Sequence, residues 1–255
     1  MTDFDVNAGG RRLRVRRLGT GEPVLVFLHE GLGSITQWRD FPQALCEATG
    51  LGAIVYDRCG YGASQERQGP LEPGYLEREA AVLPEVLEAA GVRRPVLVGH
   101  SDGASIALLY SALFPGGPRG VISEAAHVFV EDMTVAGVAE AGKAYGTTAL
   151  RERLQRHHGD KVDAVFRGWN DVWLSPVHRA WDMTDCLGAI TAPLLAIQGA
   201  DDEYGSALQV EAIVRGVRGP ARSLLVPGCG HIPHHQARGP VLEAMARFVR
   251  ELPPP

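Results

Sequence analysis

Pro95-Val96-Leu97-Val98-Gly99-His100-Ser101-Asp102-Gly103-Ala104-Ser105-Ile106-Ala107-Leu108-Leu109-Tyr110 is the stretch that decides how the remaining sequence is read. Its first four residues form a short apolar run suited to a buried strand, and from Ala104 onward the composition becomes helix-forming. Between the two, Gly99-His100-Ser101-Asp102-Gly103 has the Gly-x-Ser-x-Gly spacing of a sharp strand-to-helix turn that exposes a serine hydroxyl above the end of a sheet. Glycines suit a strained turn with other segments pressing close, and the new helix offers N–H groups and its positive dipole end to a developing oxyanion. Ser101 is the candidate nucleophile.

Working outward, short β-branched runs alternate with longer amphipathic stretches, the pattern of a parallel sheet covered by helices on both faces. Strands are predicted at Val24 to His29, Ala53 to Asp57, Pro95 to Gly99, Gly120 to Ala125, Pro193 to Gly199 and Ser223 to Val226, after an antiparallel pair within about the first 20 residues. The arginines of Arg11-Arg12-Leu13-Arg14-Val15-Arg16-Arg17 alternate with apolar residues and read as the solvated face of an early strand. The fold class expected is α/β, a mostly parallel doubly wound sheet.

One interval breaks the spacing. Ala126 to Thr191 is far longer than a loop-helix-loop crossover needs, and it holds helix-like stretches at Val135 to Ala144 and Ala149 to His158. The expected organisation is a core of residues 1–125 and 192–255 with a helical cap of residues 126–191 over the carboxyl edge of the sheet, where ligands bind in open α/β sheets. Trp169, Trp173, Trp181 and Phe129 lie in this insertion and are the candidate substrate-binding residues, suggesting an apolar or aromatic group on the substrate.

A serine hydroxyl needs a base at neutral pH, and an imidazole suits that task. Of the nine histidines, His231 stands in the glycine-rich turn Val226-Pro227-Gly228-Cys229-Gly230-His231, just after the last predicted strand. His234 and His235 read as surface or supporting residues. The orienting acid should also follow a strand, and Leu194 to Gly199 leads into Ala200-Asp201-Asp202-Glu203. Nucleophile, then acid, then histidine is the chain order that goes with this kind of elbow, and a Gly-x-x-Asp step selects Asp202. Asp201 and Glu124 remain rivals. For the oxyanion, the candidate donors are the N–H of Asp102 and the N–H of Gly31 in His29-Glu30-Gly31-Leu32-Gly33-Ser34.

Four features in this order, His29 to Ser34, Tyr56-Asp57-Arg58-Cys59-Gly60-Tyr61-Gly62-Ala63-Ser64, Gly99 to Gly103 and Gly230-His231, make the chain resemble the α/β-hydrolase superfamily over nearly its whole length. The resemblance implies a serine hydrolase with a cap, because dehalogenases and epoxide hydrolases of that fold look different in having an aspartate nucleophile. The superfamily pattern usually has His-Gly where this chain has His29-Glu30, and a small or apolar residue often follows the nucleophile where this chain has Asp102. Two extra carboxylates near the proposed oxyanion site argue against a strongly anionic reacting group.

The reaction expected is hydrolysis of a small carboxylic ester, lactone or thioester through an acyl-enzyme. The alternatives are hydrolysis of a carbon-carbon bond in a ring-cleavage product, for which Arg58, Arg151, Arg167 or Arg179 would have to meet the substrate carboxylate, and a hydrolase-like sensor of a small ligand. No organic cofactor and no metal site are expected, since no acidic or thiol ligands are grouped with His234 and His235. The net charge of -5 and pI near 6.0 argue against general nucleic-acid binding. Partners are expected to be a small-molecule substrate, with neither nucleic acid nor membrane, and a homo-oligomer is compatible with the sequence. Met1-Thr2-Asp3-Phe4-Asp5 has no leader character, and Cys46, Cys59, Cys186 and Cys229 form no Cys-x-x-Cys pair, which together suggest free thiols and a cytoplasmic location. Pro253-Pro254-Pro255 reads as a frayed terminus.

Overall fold

The computed structural model describes residues 1–253, so Pro254 and Pro255 of the expected frayed end lie outside the described residues. Alternation at the start of the chain gives two strands, β1 (Thr2–Ala8) and β2 (Arg11–Leu18), paired antiparallel. Leu13 and Val15 turn inward, whereas Arg14 and Arg16 stay on the outer face and bond to Asp5 and Asp3 across the ladder, at 2.6 and 2.7 Å. The arginine run is thus a paired strand face, as its alternation predicts.

The remaining strands are β3 (Pro23–Leu28), β4 (Gly52–Tyr56), β5 (Val96–His100), β6 (Gly120–Glu124), β7 (Leu194–Gly199) and β8 (Ala221–Val226). They complete an eight-stranded sheet in the order β1-β2-β4-β3-β5-β6-β7-β8, parallel from β4 to β8. Every residue of β4, β5, β6 and β7 is buried, which is why these segments read as continuous apolar runs rather than alternating ones.

Helices α1 (Phe41–Thr49), α2 (Tyr75–Ala89) and α3 (Asp102–Leu113) connect the earlier strands. Between β6 and β7 the chain forms α4 (Asp132–Thr147), α5 (Leu150–His158), α6 (Val162–Trp173) and the short α7 (Pro176–Arg179). Val138, Leu154, Val162, Phe166, Trp169 and Trp173 form an apolar cluster of their own among these inserted helices. Met183, Leu187 and Ile190, at the end of the same interval, pack instead into the main core with α3 and the next helix, α8 (Ala207–Gly216). The chain closes through α9 (Pro233–Gln236) and α10 (Arg238–Glu251). Among the described residues no helix is long and apolar enough to cross a membrane.

Candidate active site

Ser101 stands between β5 and α3 with φ 53° and ψ -120°, a left-handed conformation that a non-glycine residue holds only when its surroundings impose it. The neighbouring glycines are what allow this turn. A Cβ on Gly99 would lie 2.3 Å from the Gly103 carbonyl oxygen, and one on Gly103 would lie 2.0 Å from the Leu28 carbonyl oxygen. Both contacts are with backbone and cannot be relieved by a rotamer change. The Ser101 N–H donates to the Glu124 carbonyl at 2.8 Å, which ties the turn to the end of β6.

The turn after β8 carries His231 to the same edge. Its Nε2 is 2.9 Å from Ser101 Oγ, and its Nδ1 is 2.8 and 3.0 Å from the two carboxylate oxygens of Asp202. With the Nδ1 proton directed at the carboxylate, Nε2 presents its lone pair to the serine hydroxyl. Asp202 is itself held by the Gln198 side-chain amide at 2.6 Å and the Tyr204 N–H at 2.8 Å. Burial pushes the His231 pKa down, but the hydrogen bond and charge of Asp202, helped by Glu30 and Glu203, outweigh it and hold the ring above the ordinary histidine value. Asp202 moves the other way: burial opposes its ionisation, and the bond to His231 more than compensates, so its carboxyl sits below its ordinary value.

A strained serine at the strand-to-helix elbow after β5, with a carboxylate delivered from the end of β7 and then an imidazole from the end of β8, is the arrangement expected at the carboxyl edge of this fold. The chain has the α/β-hydrolase fold. Residues 23–140 match the family described as alpha/beta hydrolase fold. The chain is similar to serine hydrolase BPHL of Mus musculus, with 24% identity over 89% of this chain and 80% of that protein. It is also similar to 2-hydroxy-6-oxo-6-phenylhexa-2,4-dienoate hydrolase of Comamonas testosteroni, at 25% identity over 84% of this chain and 82% of that protein. Among solved structures, a membrane phospholipase A described as a bacterial virulence factor superposes with a TM-score of 0.81 at 18% identity, covering 98% of this chain and 86% of that one.

Within this hydrolase fold the rival acids are set apart. Asp201 is exposed, and Glu124 receives the His234 N–H at 2.6 Å and lies 2.8 Å from His234 Nδ1, so it is engaged with another ring. The two proposed oxyanion donors, the N–H groups of Gly31 and Asp102, donate to no described protein atom. The space at Gly31 is fully used, since a Cβ there would lie 2.4 Å from Trp169.

The side chain of Asp102 is committed elsewhere. It accepts from the Tyr75 hydroxyl at 2.5 Å and faces Arg58 at 3.6 Å, with both members of the ion pair 1% exposed. Trp173 Nε1 donates to the same Tyr75 hydroxyl at 3.0 Å, linking α6 to the elbow. The Asp102 charge is therefore neutralised by Arg58, and of the two extra carboxylates only Glu30 faces the cavity.

Two cavities meet at His231. One of about 60 Å³ touches Ser101 and is lined by Gly31, Thr134, Val138, Trp169, Trp173 and Tyr204 together with Glu30, Leu32 and His127. The other, about 390 Å³, opens past Glu30 and Leu32 toward His157, His235 and Arg153. Trp169 and Trp173 thus line the Ser101 cavity, but Trp181 and Phe129 line neither, contrary to the expectation for the insertion as a whole. Trp181 donates from Nε1 to Glu77 at 2.7 Å and packs with Phe129 against the main core, which holds both rings away from the serine. Sequence reasoning missed Tyr204, Thr134 and His127 as lining residues because they come from separate segments, Thr134 from the first turn of α4 and the other two from loops, and carry no motif. Glu30 did carry a signal, as the carboxylate where the family pattern has glycine.

Proposed function

We propose that this chain is a serine hydrolase that cleaves a small carboxylic ester, lactone or thioester through an acyl-enzyme. The observation that carries this reading is the unbroken line from Ser101 Oγ through the two nitrogens of His231 to Asp202. In the proposed reaction His231 Nε2 takes the Ser101 proton as Oγ attacks the carbonyl carbon. The resulting oxyanion is received by the N–H groups of Gly31 and Asp102. His231 then returns the proton to the leaving alcohol or thiol, and a water activated by the same ring releases the acid. Asp202 keeps the Nδ1 proton in place and stabilises the imidazolium at each step.

The cavity beside Ser101 is small and largely aromatic, which supports a compact apolar group on the substrate. A carbon-carbon hydrolase reading is favoured by the similarity to the Comamonas enzyme, whose named substrate carries a carboxylate. The arginines that the sequence offered for that carboxylate are absent from the lining, which holds Arg39 and Arg153 in the larger cavity instead. Among the described residues, none of Arg58, Arg151, Arg167 and Arg179 lines either cavity at His231. Arg58 is occupied by Asp102, Arg151 by Asp163 and Arg179 by Asp132.

The test is a panel of esters, thioesters, lactones and ring-cleavage acids assayed with the wild type and Ser101→Ala. The expected result is turnover of one of the first three classes, lost by about 10⁴-fold in a folded Ser101→Ala protein, with a fluorophosphonate adduct mapped to Ser101. Turnover of the ring-cleavage acid alone would replace this reading with the carbon-carbon one, and an adduct elsewhere would move the site.

A further inference from the structure

Three strand ends bring Glu30, His100 and His231 together, with one ligand atom from each lying within 4.8 Å of the others. The donor atoms are assigned by the hydrogen bonds on their far sides. His100 Nε2 is 2.7 Å from the His231 carbonyl oxygen and must donate to it, so His100 Nδ1 carries the lone pair. That atom is 4.0 Å from Glu30 Oε2. His231 Nδ1 donates to Asp202, so its Nε2 carries the other lone pair. The Glu30 carboxylate accepts no hydrogen bond from any described residue, although its side chain is only 25% exposed.

The geometry points to an inhibitory zinc site formed by Glu30 Oε2, His100 Nδ1 and His231 Nε2. Two neutral imidazoles and one carboxylate are a donor set that zinc accepts, with a fourth position left toward the cavity. Zinc holds such donors at about 2.0–2.2 Å, so neighbouring donors at a tetrahedral angle stand roughly 3.4 Å apart. Closing the 4.0 Å gap between His100 and Glu30 therefore requires a movement of about 0.6 Å, which the partly exposed Glu30 side chain can supply. Both imidazoles already have the outer-nitrogen partners that metal-bound histidines use, a carbonyl oxygen for His100 and a carboxylate for His231.

The three residues are far apart in the chain, which is why a search for ligands among sequence neighbours finds no site. Occupancy has a definite consequence. Zinc on His231 Nε2 takes the lone pair that would receive the Ser101 proton, so the ion competes directly with activation of the serine.

Calorimetric titration of zinc chloride into the whole protein tests binding without reference to any reaction. One ion per chain is expected, weakened at least about 10-fold in Glu30→Gln and unchanged in His157→Ala, whose ring lines the same large cavity but lies outside the proposed ligand set. In parallel, zinc should slow fluorophosphonate labelling of Ser101 in the wild type, with full recovery after EDTA. Equal zinc affinity in the wild type and Glu30→Gln would overturn the site, as would bound zinc that leaves the labelling rate unchanged. If Ser101 takes no probe even without zinc, the proposed reaction fails, while the calorimetric comparison still decides the site.

Discussion

Glu124 and His234 form a buried pair at 2.8 Å, with side-chain exposures of 0% and 3%, directly beneath the turn that carries Ser101. The ring of His234 packs against Trp38, Phe41 and His100, and Glu124 accepts both the His234 backbone N–H and its ring. Burial raises the carboxyl of Glu124 to about 7 and holds the His234 ring well below the ordinary histidine value. The pair is a structural tie between β6 and α9, built from the same residue types as the His231–Asp202 pair beside it.

The two pairs should therefore respond differently to amide substitution. Asp202→Asn is expected to lower kcat/KM by about 10⁴-fold with little change in the denaturation midpoint, because it removes the acceptor that fixes the His231 tautomer. Glu124→Gln is expected to reduce stability by about 1–3 kcal/mol through an imperfectly matched buried bond, while a folded sample keeps most of its activity. Equilibrium denaturation and ester kinetics on both variants check this, and the opposite ranking would reassign the acid.

Gly31 and Gly103 should fail in different ways when a methyl group is added. The Cβ of Ala at 103 would meet the Leu28 backbone oxygen at 2.0 Å, so Gly103→Ala should not yield folded protein and no side-chain change should rescue it. At 31 the obstacle is the Trp169 ring at 2.4 Å, which can move. Gly31→Ala should fold and lose about 10²-fold in kcat/KM, and adding Trp169→Ala should recover part of that loss. Soluble yield, circular dichroism and kinetics on the three proteins measure the outcome.

The acid limb of the pH–rate profile should lie above the usual histidine value, since in the proposed reaction His231 acts as the deprotonated ring and its partners favour the protonated one. Glu30→Gln and Asp202→Asn should each move that limb to lower pH, because each removes a negative charge that raises the His231 pKa. The same raised value makes a stability statement. The contribution of the protonated His231 pairing is complete below the unfolded value of about 6.5 and is lost as pH rises through the higher folded value. The stability advantage of the wild type over His231→Gln should therefore shrink as pH rises through that window, as read by urea midpoints at a series of pH values.

Selectivity should divide the tryptophans of the insertion. Trp169 and Trp173 face the Ser101 cavity, so replacing either by alanine should change the kcat/KM ratio between a bulky aromatic ester and an acetate ester by an amount worth about 1–3 kcal/mol. Trp181, hydrogen-bonded to Glu77 away from the cavity, should leave that ratio at the wild-type value. A shift with Trp181→Ala equal to that with Trp169→Ala would overturn this division.

The elbow, the strand positions and the long insertion were legible in the sequence because each rests on local constraints. Burial on both faces makes β5 to β7 continuous apolar runs, the turn at Ser101 demands glycine at 99 and 103, and excess length between β6 and β7 has to form something. His231 and Asp202 were legible for a related reason, since each follows a strand end on one edge of a parallel sheet. What tertiary structure alone decided is pairing across that edge. Asp202 and Glu124 both end strands near a histidine, and only the path of the chain after β8 puts Asp202 on His231 and Glu124 on His234. Arg58 neutralises Asp102 from 44 positions away in the chain, Trp181 turns toward Glu77 while Trp173 turns toward Tyr75, and Glu30 is left facing His100. These contacts join residues remote in sequence, and their partners are chosen by packing geometry, which no local pattern of residue types encodes.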